Sequence, residues 1–142
     1  MPFFISNSVA APVYLRIADG PSDNEGRLEV YYHGEWGTVC SVGFDRVDAD
    51  VACRQLGYNH SAAVYTHGGG SGRVWLDFVR CRGYESSLEQ CDHGGWWSTC
   101  GHSIDVGIIC AVTDLCEYLP FLKEDLSKHL KRLSTWKYKY DA

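Results

Sequence analysis

Residues 91–110 read CDHGGWWSTCGHSIDVGIIC, and the role of the cysteines in this stretch decides the fold. A histidine lies two residues after Cys91 and another lies two residues after Cys100, as His93 and His102. On an extended strand, residues i and i+2 point to the same face, so each pair could present a sulfur and an imidazole together. The residues by themselves leave two alternatives open: a zinc site, or disulfides beside two loop histidines.

The cysteine count favours disulfides without fixing their pairing. The chain has seven cysteines in 142 residues, and such a density in a small body is typical of proteins from an oxidising compartment. An odd count leaves one sulfur without a partner in the same chain. Spacing does not determine which cysteines pair. The seven are Cys40, Cys53, Cys81, Cys91, Cys100, Cys110 and Cys116.

Charge is distributed unevenly and divides the chain. The net charge of −5 argues against a general nucleic-acid binder. No stretch reaches the roughly 18 to 20 apolar residues of a membrane span.

All five lysines lie between Lys123 and Lys139, whereas residues 1–120 hold fifteen acidic residues and seven arginines. We therefore predict a leader or linker at 1–12, an acidic domain at 13–112 and a basic tail at 113–142.

The N-terminus is a poor signal peptide. It lacks a basic region, and polar residues interrupt its apolar run. This predicts either a piece excised from a longer chain or an export signal that has been removed.

Alternating hydrophobicity predicts several short strands. Strands are expected at 13–17 and 27–39, the second divided by a hairpin turn at His33–Gly34. Further strands are expected at 74–78 and 104–112. The segment 18–26 has the composition of a turn, and 67–73 that of a glycine-rich loop.

Helical periodicity predicts one helix in the domain, from an N-cap at Asp45 to a stop at Gly57, with Val47, Val51, Ala52 and Leu56 on its apolar stripe. A second short helix is expected from Ser86, with Glu89 completing a capping box. Strands around a central helix make the domain α+β. In the tail, a stripe of leucines predicts an amphipathic helix that packs on a neighbouring surface, self-associates or lies on a membrane.

Five motif blocks resemble the scavenger receptor cysteine-rich (SRCR) domain in order, spacing and residue choice. They are GRLEVYYHGEWGTVC (26–40), VACRQLGY (51–58), VWLDFVRC (74–81), ESSLEQC (85–91) and CGHSIDVGIIC (100–110). The resemblance covers about residues 14–112 and is particularly strong to the terminal domain of macrophage scavenger receptors with a collagenous stalk. It implies a curved antiparallel sheet that cradles one helix and is stapled by disulfides.

The resemblance also implies a disulfide pairing. Members with eight cysteines carry one just after RQLG, where this chain has Tyr58, so it resembles the six-cysteine group A. The pairing of that group implies the bridges Cys40–Cys100, Cys53–Cys110 and Cys81–Cys91. Because a disulfide sulfur is not a thiolate ligand, these bridges argue against zinc. His93 and His102 are then expected to form hydrogen bonds in loops.

Cys116 lies outside the pattern of the resembled domain. An odd cysteine in an exported chain often forms an intermolecular bridge. We predict a disulfide from Cys116 to a second chain or to a missing neighbouring domain, and a homo-oligomer through Cys116 and the tail helix. A free thiol is the alternative.

The sequence predicts neither catalysis nor a cofactor. No G-x-S-x-G motif occurs. Many members of the resembled family bind calcium through acidic residues, but calcium needs about six or more oxygen ligands. At the corresponding positions this chain has Ser41, Val42, Phe78 and Ile104, and only Asp77 and Asp105 remain as carboxylates. We therefore expect no metal at the usual site, and loop hydrogen bonds from the two aspartates.

Three arginines are candidates for ligand binding. Arg73, Arg80 and Arg82 flank the strand 74–78, and polyanion recognition in receptors with a collagenous stalk resembles the use of such an arginine patch. Guanidinium forks suit sulfate, phosphate and carboxylate groups. The alternative is that these arginines are scattered on an acidic surface.

The expected function is that of a non-catalytic extracellular module of scavenger or pattern-recognition type, with polyanionic, microbial or protein ligands. The protein is expected to be secreted or to form the ectodomain of a membrane protein. Asn59 begins a sequon and is a predicted glycosylation site. The alternative is an accessory module of a mosaic secreted enzyme such as a serine protease or a lysyl oxidase.

Overall fold

The computed structural model describes residues 12–112. The predicted leader up to residue 11, the predicted tail helix and Cys116 lie outside the described residues. Within 12–112 there are seven strands and one α-helix, α1 (Arg46–Gln55). The strands are β1 (Tyr14–Ser22), β2 (Glu25–Tyr32), β3 (Glu35–Val39), β4 (Ser61–Thr66), β5 (Val74–Leu76), β6 (Trp96–Ser98) and β7 (Val106–Cys110).

The strands form one sheet in the order β4-β7-β2-β3-β5-β6, and β1 pairs with β2 outside this path. Neighbouring strands are antiparallel except β3 and β5, which pair in parallel. Parallel neighbours need a crossover connection, and here α1 and β4 lie between them in the chain. The α+β arrangement with one helix is as expected, but the sheet is mixed and not antiparallel throughout, because of this single crossover.

The hairpin β2–β3 turns where the sequence predicts it. Tyr32 pairs with Glu35, and His33 and Gly34 both have positive φ, at 48° and 79°. This geometry belongs to the tight two-residue turns that match strand twist. The predicted turn at 18–26 is wrong in extent, because β1 continues to Ser22 and only residues 23–24 turn. An irregular register after Ala18 accommodates the glycine and proline of that segment.

The helix α1 begins and ends as predicted. Asp45 is its N-cap and accepts a hydrogen bond from the amide of Asp48, whose side chain accepts one in return from the amide of Asp45. Gly57 follows the end of the helix with φ of +97°, a conformation that favours glycine. Val47 is 39 % exposed, so it does not belong to the buried face as the periodicity suggested.

The core lies between α1 and the sheet. Trp75, Leu28 and Leu76 are its largest fully buried side chains. The helix contributes Ala49, Val51, Ala52 and Cys53, and β7 contributes Val106, Ile108 and Cys110. Packing of these apolar faces removes the central part of the sheet from water.

Two strands and one helix differ from the sequence prediction. The strands β4 and β6 were not predicted, since neither SAAVYT nor WWS shows a clear alternation. The second helix is a single 3-10 turn (Leu88–Gln90) without a capping box, and the backbone amide of Ser86 donates to Gln90 instead of pairing with Glu89. Three residues bury too little surface to sustain an α-helix.

Candidate functional site

Three disulfides connect the elements that carry the surface loops. Cys53 on α1 is bonded to Cys110 on β7, with Cα atoms 5.5 Å apart. Cys40, directly after β3, is bonded to Cys100, and Cys81 is bonded to Cys91, with Cα separations of 6.1 Å and 4.6 Å. These are the pairs that the resemblance implies.

The Cys/His pairs of residues 91–110 do not form a shared site. Both sulfurs belong to disulfides. His93 accepts a hydrogen bond through Nδ1 from the amide of Gly95 at 3.0 Å. The two ring nitrogens of His102 face Asp105 and the carbonyl of Gly72. Each imidazole therefore has its own loop partners.

A second group of potential metal ligands also has no free thiolate. Glu85 lies near the sulfurs of Cys81 and Cys91, but those sulfurs are bonded to each other. The carboxylate of Glu85 accepts hydrogen bonds from the amides of Arg82 (2.9 Å) and Gly83 (2.8 Å). Burial opposes the charged form of Glu85, but these amide donors outweigh it and lower its pKa. The carboxylate stabilises the 82–85 turn.

Asp77 and Asp105 have separate partners. Asp105 is fully buried and accepts a hydrogen bond from the amide of Gly70 at 2.7 Å. Asp77 accepts one from the hydroxyl of Ser98 at 2.7 Å. His102 lies 3.1 Å from Asp105.

Apolar residues meet where the resembled family carries acidic ones. The amide of Ser41 donates to the carbonyl of Ile104 at 2.9 Å, and a Cβ on Gly43 would lie 3.7 Å from Phe78. Val42 is 40 % exposed and Phe78 is 51 % exposed. The loop 41–43 therefore contacts Ile104 through Ser41 and approaches Phe78 at Gly43.

The structure places Arg73 in a different groove from Arg80 and Arg82. The Arg73 guanidinium lies 4.1 Å from the ring centroid of Trp97 and 3.6 Å from the carboxylate of Glu35. Gly72, Arg73, Trp97 and His102 are among the residues that line a groove of about 380 Å³, here called the Arg73 groove. Its arginine is already engaged by an aromatic ring and a carboxylate.

Arg80 and Arg82 line a second groove of about 300 Å³, here called the double-arginine groove. Tyr84, Glu85, Gln90 and Asp92 complete its lining. Both arginines are exposed. Within residues 12–112 neither guanidinium takes part in an ion pair. Tyr84 is 76 % exposed and adds a phenol at the rim.

Sequence reasoning missed Arg54, which supports the double-arginine groove. Arg54 lies in the last turn of α1 and donates through Nη2 to the carbonyls of Gly83 (2.6 Å) and Glu85 (3.2 Å). It therefore brings a third positive charge against the loop that carries Arg82. Only the packing of that loop on the helix end reveals this, because 29 residues separate Arg54 from Gly83.

An aromatic cluster beside the Arg73 groove was also missed. Tyr32 stacks on Trp96 with ring centroids 3.7 Å apart, and it meets Trp75 edge-on at 5.1 Å. Trp97 contacts Trp75 at 4.9 Å and remains 52 % exposed. Its φ of +74° is unusual for a large side chain and places its ring at the surface. The pair Trp96–Trp97 was the available signal in the sequence.

Comparison with known proteins identifies the family. The sequence profile of the scavenger receptor cysteine-rich domain matches residues 18–111. The chain belongs to the SRCR family. Two solved SRCR structures share the fold. They are the dimeric form of the SRCR domain of mouse MARCO (47% identical, TM-score 0.60, covering 68% of this chain and 93% of that chain) and the third SRCR domain of murine neurotrypsin (37% identical, TM-score 0.64, covering 72% and 100%).

Related full-length proteins are of two kinds. Macrophage receptor MARCO from Mus musculus is 49% identical over 98 residues, which cover 68% of this chain and 18% of the receptor. Lysyl oxidase homolog 4 from Homo sapiens is 55% identical over 91 residues, which cover 61% of this chain and 12% of that protein. The chain thus spans less than a fifth of the length of either relative.

Membership of the family indicates a module that is generally without catalytic activity. SRCR domains are generally non-catalytic modules, although proteins that contain them include enzymes. The homologues are extracellular or membrane ectodomains. Among the helices of residues 12–112, none has the length and apolar character to cross a membrane.

Proposed function

We propose that this SRCR domain is a non-catalytic extracellular ligand-binding module whose double-arginine groove recognises anionic groups on polyanionic, microbial or protein ligands. The observation that carries the proposal is the pair of exposed arginines, Arg80 and Arg82, without an ion-pair partner within residues 12–112. Planar guanidinium forks bind sulfate, phosphate and carboxylate oxygens in a bidentate manner.

The surroundings of the groove support anion binding in an acidic domain. The carboxylate of Glu85 is directed to backbone amides, so its charge is partly compensated without the arginines. Arg54 lies against the same loop. The tyrosine at the rim, Tyr84, supplies a hydroxyl donor and an apolar ring. We therefore expect ligand affinity to fall as ionic strength rises.

The test compares two double variants of equal charge on an immobilised polyanion such as heparin. We expect R80A/R82A to bind roughly tenfold more weakly, because two solvent-exposed ion pairs, each contributing about 0.2–1 kcal/mol, are lost. The matched control is R16A/R46A, which removes two exposed arginines outside the groove. Equal losses in both double variants would mean that only net charge matters and would contradict the proposed site.

Calcium is not required in this proposal. Ser41, Val42 and Phe78 supply no carboxylate where the resembled family has acidic residues, and calcium sites need several charged oxygens. We expect heparin affinity and melting temperature to be unchanged by 1 mM EDTA or by added calcium. Asp residues at these three positions (S41D/V42D/F78D) should add carboxylates beside Asp77 and create a calcium-dependent rise in melting temperature. A calcium-dependent rise in the unaltered protein would refute this proposal.

A second candidate is an accessory SRCR module of a mosaic secreted enzyme. The observation that favours it is the 55% identity to human lysyl oxidase homolog 4, together with the structural similarity to neurotrypsin. The flanking sequence of the full transcript discriminates the two candidates, because an oxidase or protease domain in the same reading frame would select the second. A collagenous or membrane-anchored neighbour would select the first.

A further inference from the structure

The side chains of residues 78–84 alternate between the solvent and the interior of the domain. Val79 is 1 % exposed, and Cys81 is half-buried in its disulfide with Cys91. The side chains that alternate with them are exposed, and they are here called the aromatic–arginine row: Phe78, Arg80, Arg82 and Tyr84. Two arginines therefore lie between two aromatic residues on this stretch of surface.

The backbone beneath the row is bound on both sides. The amide of Arg80 donates to the carbonyl of Asp92 at 2.7 Å, and the next amide, that of Cys81, donates to the buried carboxylate of Asp48 at 2.6 Å. Because both donors are already used, a partner does not bind here by adding a strand. It has to bind the outward side chains, which a fixed backbone presents in advance of binding.

Positive charge lies at the centre of the row. Within residues 12–112 neither Arg80 nor Arg82 forms an ion pair, although Asp92 lines the same groove. Arg54 adds a third positive charge behind the loop, through its hydrogen bonds to the carbonyls of Gly83 and Glu85. Electrostatic complementarity therefore selects an acidic partner.

The two ends of the row are apolar. Phe78 is 51 % exposed and Tyr84 is 76 % exposed. Phe78 also has a φ of +49°, in the left-handed region that glycine, asparagine and aspartate adopt more readily than a bulky residue. Backbone conformations of this kind concentrate at functional sites. A partner that covered the two rings would remove apolar surface from water.

We propose that the aromatic–arginine row binds a segment of an acidic protein in which apolar side chains flank carboxylates. The carboxylates bind Arg80 and Arg82, and the apolar side chains cover Phe78 and Tyr84. This rests on the proposed function and names the class of ligand that the double-arginine groove takes. Aromatic residues and arginine are the types enriched at the centres of protein–protein interfaces and among their hot spots.

A sulfated polysaccharide matches only the centre of the row. Its sulfates would bind the two arginines, but it brings no apolar side chain to the aromatic rings, which would stay in water. A protein segment matches the ends as well. Its affinity should fall less steeply with ionic strength than that of heparin, because salt screens charges but not the burial of apolar surface.

The experiment selects ligands from a library of random short peptides on the immobilised full chain with its disulfides intact. The selected peptides should combine acidic with apolar residues. Titration calorimetry then measures the affinity of one selected peptide for the variants. F78N and Y84A should each weaken peptide binding by roughly tenfold, because each removes a ring that the peptide covers. The same variants should leave heparin binding unchanged.

The matched control is W97N. Trp97 lies outside the row, is 52 % exposed and has a φ of +74°, so it has nearly the same exposure and backbone conformation as Phe78. W97N should leave the affinity for the peptide unchanged. Both asparagine variants should fold, because asparagine adopts the left-handed conformation more readily than an aromatic residue. Circular dichroism checks this.

Failure of the row differs from failure of the proposed function. A library that yields no peptide, selected peptides without acidic or without apolar residues, or equal affinity losses in F78N and W97N would overturn the row as a protein-binding site. If R80A/R82A still lost more heparin affinity than R16A/R46A, the groove would be a polysaccharide site and the proposed function would stand. Equal losses of heparin affinity in those two double variants would contradict the proposed function itself.

Discussion

The carboxylate of Asp48 is buried at the first turn of α1 and is only 1 % exposed. It accepts hydrogen bonds from the amides of Asp45 (2.8 Å) and Cys81 (2.6 Å), so it joins the helix N-terminus to the loop that follows β5. Burial raises the pKa of Asp48 to about 6, and the charge of Asp45 acts in the same direction, against the two amide donors. A single side chain therefore contributes both to packing and to the pH response of the domain.

The raised pKa of Asp48 predicts a pH-dependent stability. The folded protein keeps the proton to about pH 6, whereas the unfolded chain releases it near pH 4. The free energy of unfolding should therefore fall as the pH rises from 4 to 6. D48N should remove this fall, and it should lower stability by about 1–3 kcal/mol because one of the two amides loses its acceptor.

Urea unfolding of the oxidised protein from pH 4 to pH 7 checks this prediction. The control is D23N, which alters an exposed acid in the β1–β2 turn and should leave the slope unchanged. A slope that persists in D48N would mean that another group binds the proton.

The parallel pair β3–β5 depends on a close approach at Gly37. A Cβ at this buried position would overlap the carbonyl oxygen of Arg73 and the indole of Trp75. The backbone of β3 therefore packs against β5 at a distance that only glycine allows. This contact positions both the core tryptophan and the strand that ends next to Asp77.

We predict that G37A destabilises the domain by about 1–3 kcal/mol, the range for overpacked cores. The control is G101A, at an extended position (φ −82°) where a Cβ would meet Ser103 Oγ only at 3.9 Å, and it should change stability by less than about 0.5 kcal/mol. Thermal unfolding of the two variants measures the difference. Equal melting temperatures for G37A and G101A would show that β3 and β5 can move apart without loss of stability.

The helix and the strands that have strong local sequence signals were predicted, and those without such signals were not. The hairpin β2–β3 and the helix α1 have strong turn and capping signals at His33–Gly34, Asp45 and Gly57, and all three were placed correctly. The strand β6 has three residues and depends on its antiparallel pairing with β5, which is remote in sequence. Its local signal is therefore too short to detect.

Three disulfides connect distant segments of residues 12–112. The disulfides Cys40–Cys100 and Cys53–Cys110 span 60 and 57 residues, and each is expected to contribute about 4 kcal/mol by restricting the unfolded chain. The bridge Cys81–Cys91 spans 10 residues and is expected to contribute about 3 kcal/mol. The long bridges hold together elements that form contacts only after the chain has folded.

The seventh cysteine predicts an assembly larger than one chain. Cys116 lies outside the described residues, and all six cysteines of residues 12–112 are paired. A bridge to a second chain should appear as a band of twice the mass on non-reducing electrophoresis, absent from C116S. The solved SRCR domain of mouse MARCO has a dimeric form, which makes association without a bridge the second outcome to measure, by light scattering of C116S. A monomeric band with one titratable thiol per chain would exclude the bridge.

Residue identity, spacing and local periodicity were sufficient to predict the family, the disulfide-rich α+β class and the chemistry of the surface groups. Glycosylation at Asn59 stays a prediction. The folded contacts separated Arg73 from Arg80 and Arg82, placed Arg54 against the loop that carries Arg82, and brought the rings of His67 and His102 to the glycine-rich loop 67–73. The reason is that a groove is formed by contacts between residues that are distant in sequence. Such contacts arise from strand pairing and loop packing, which local patterns do not encode.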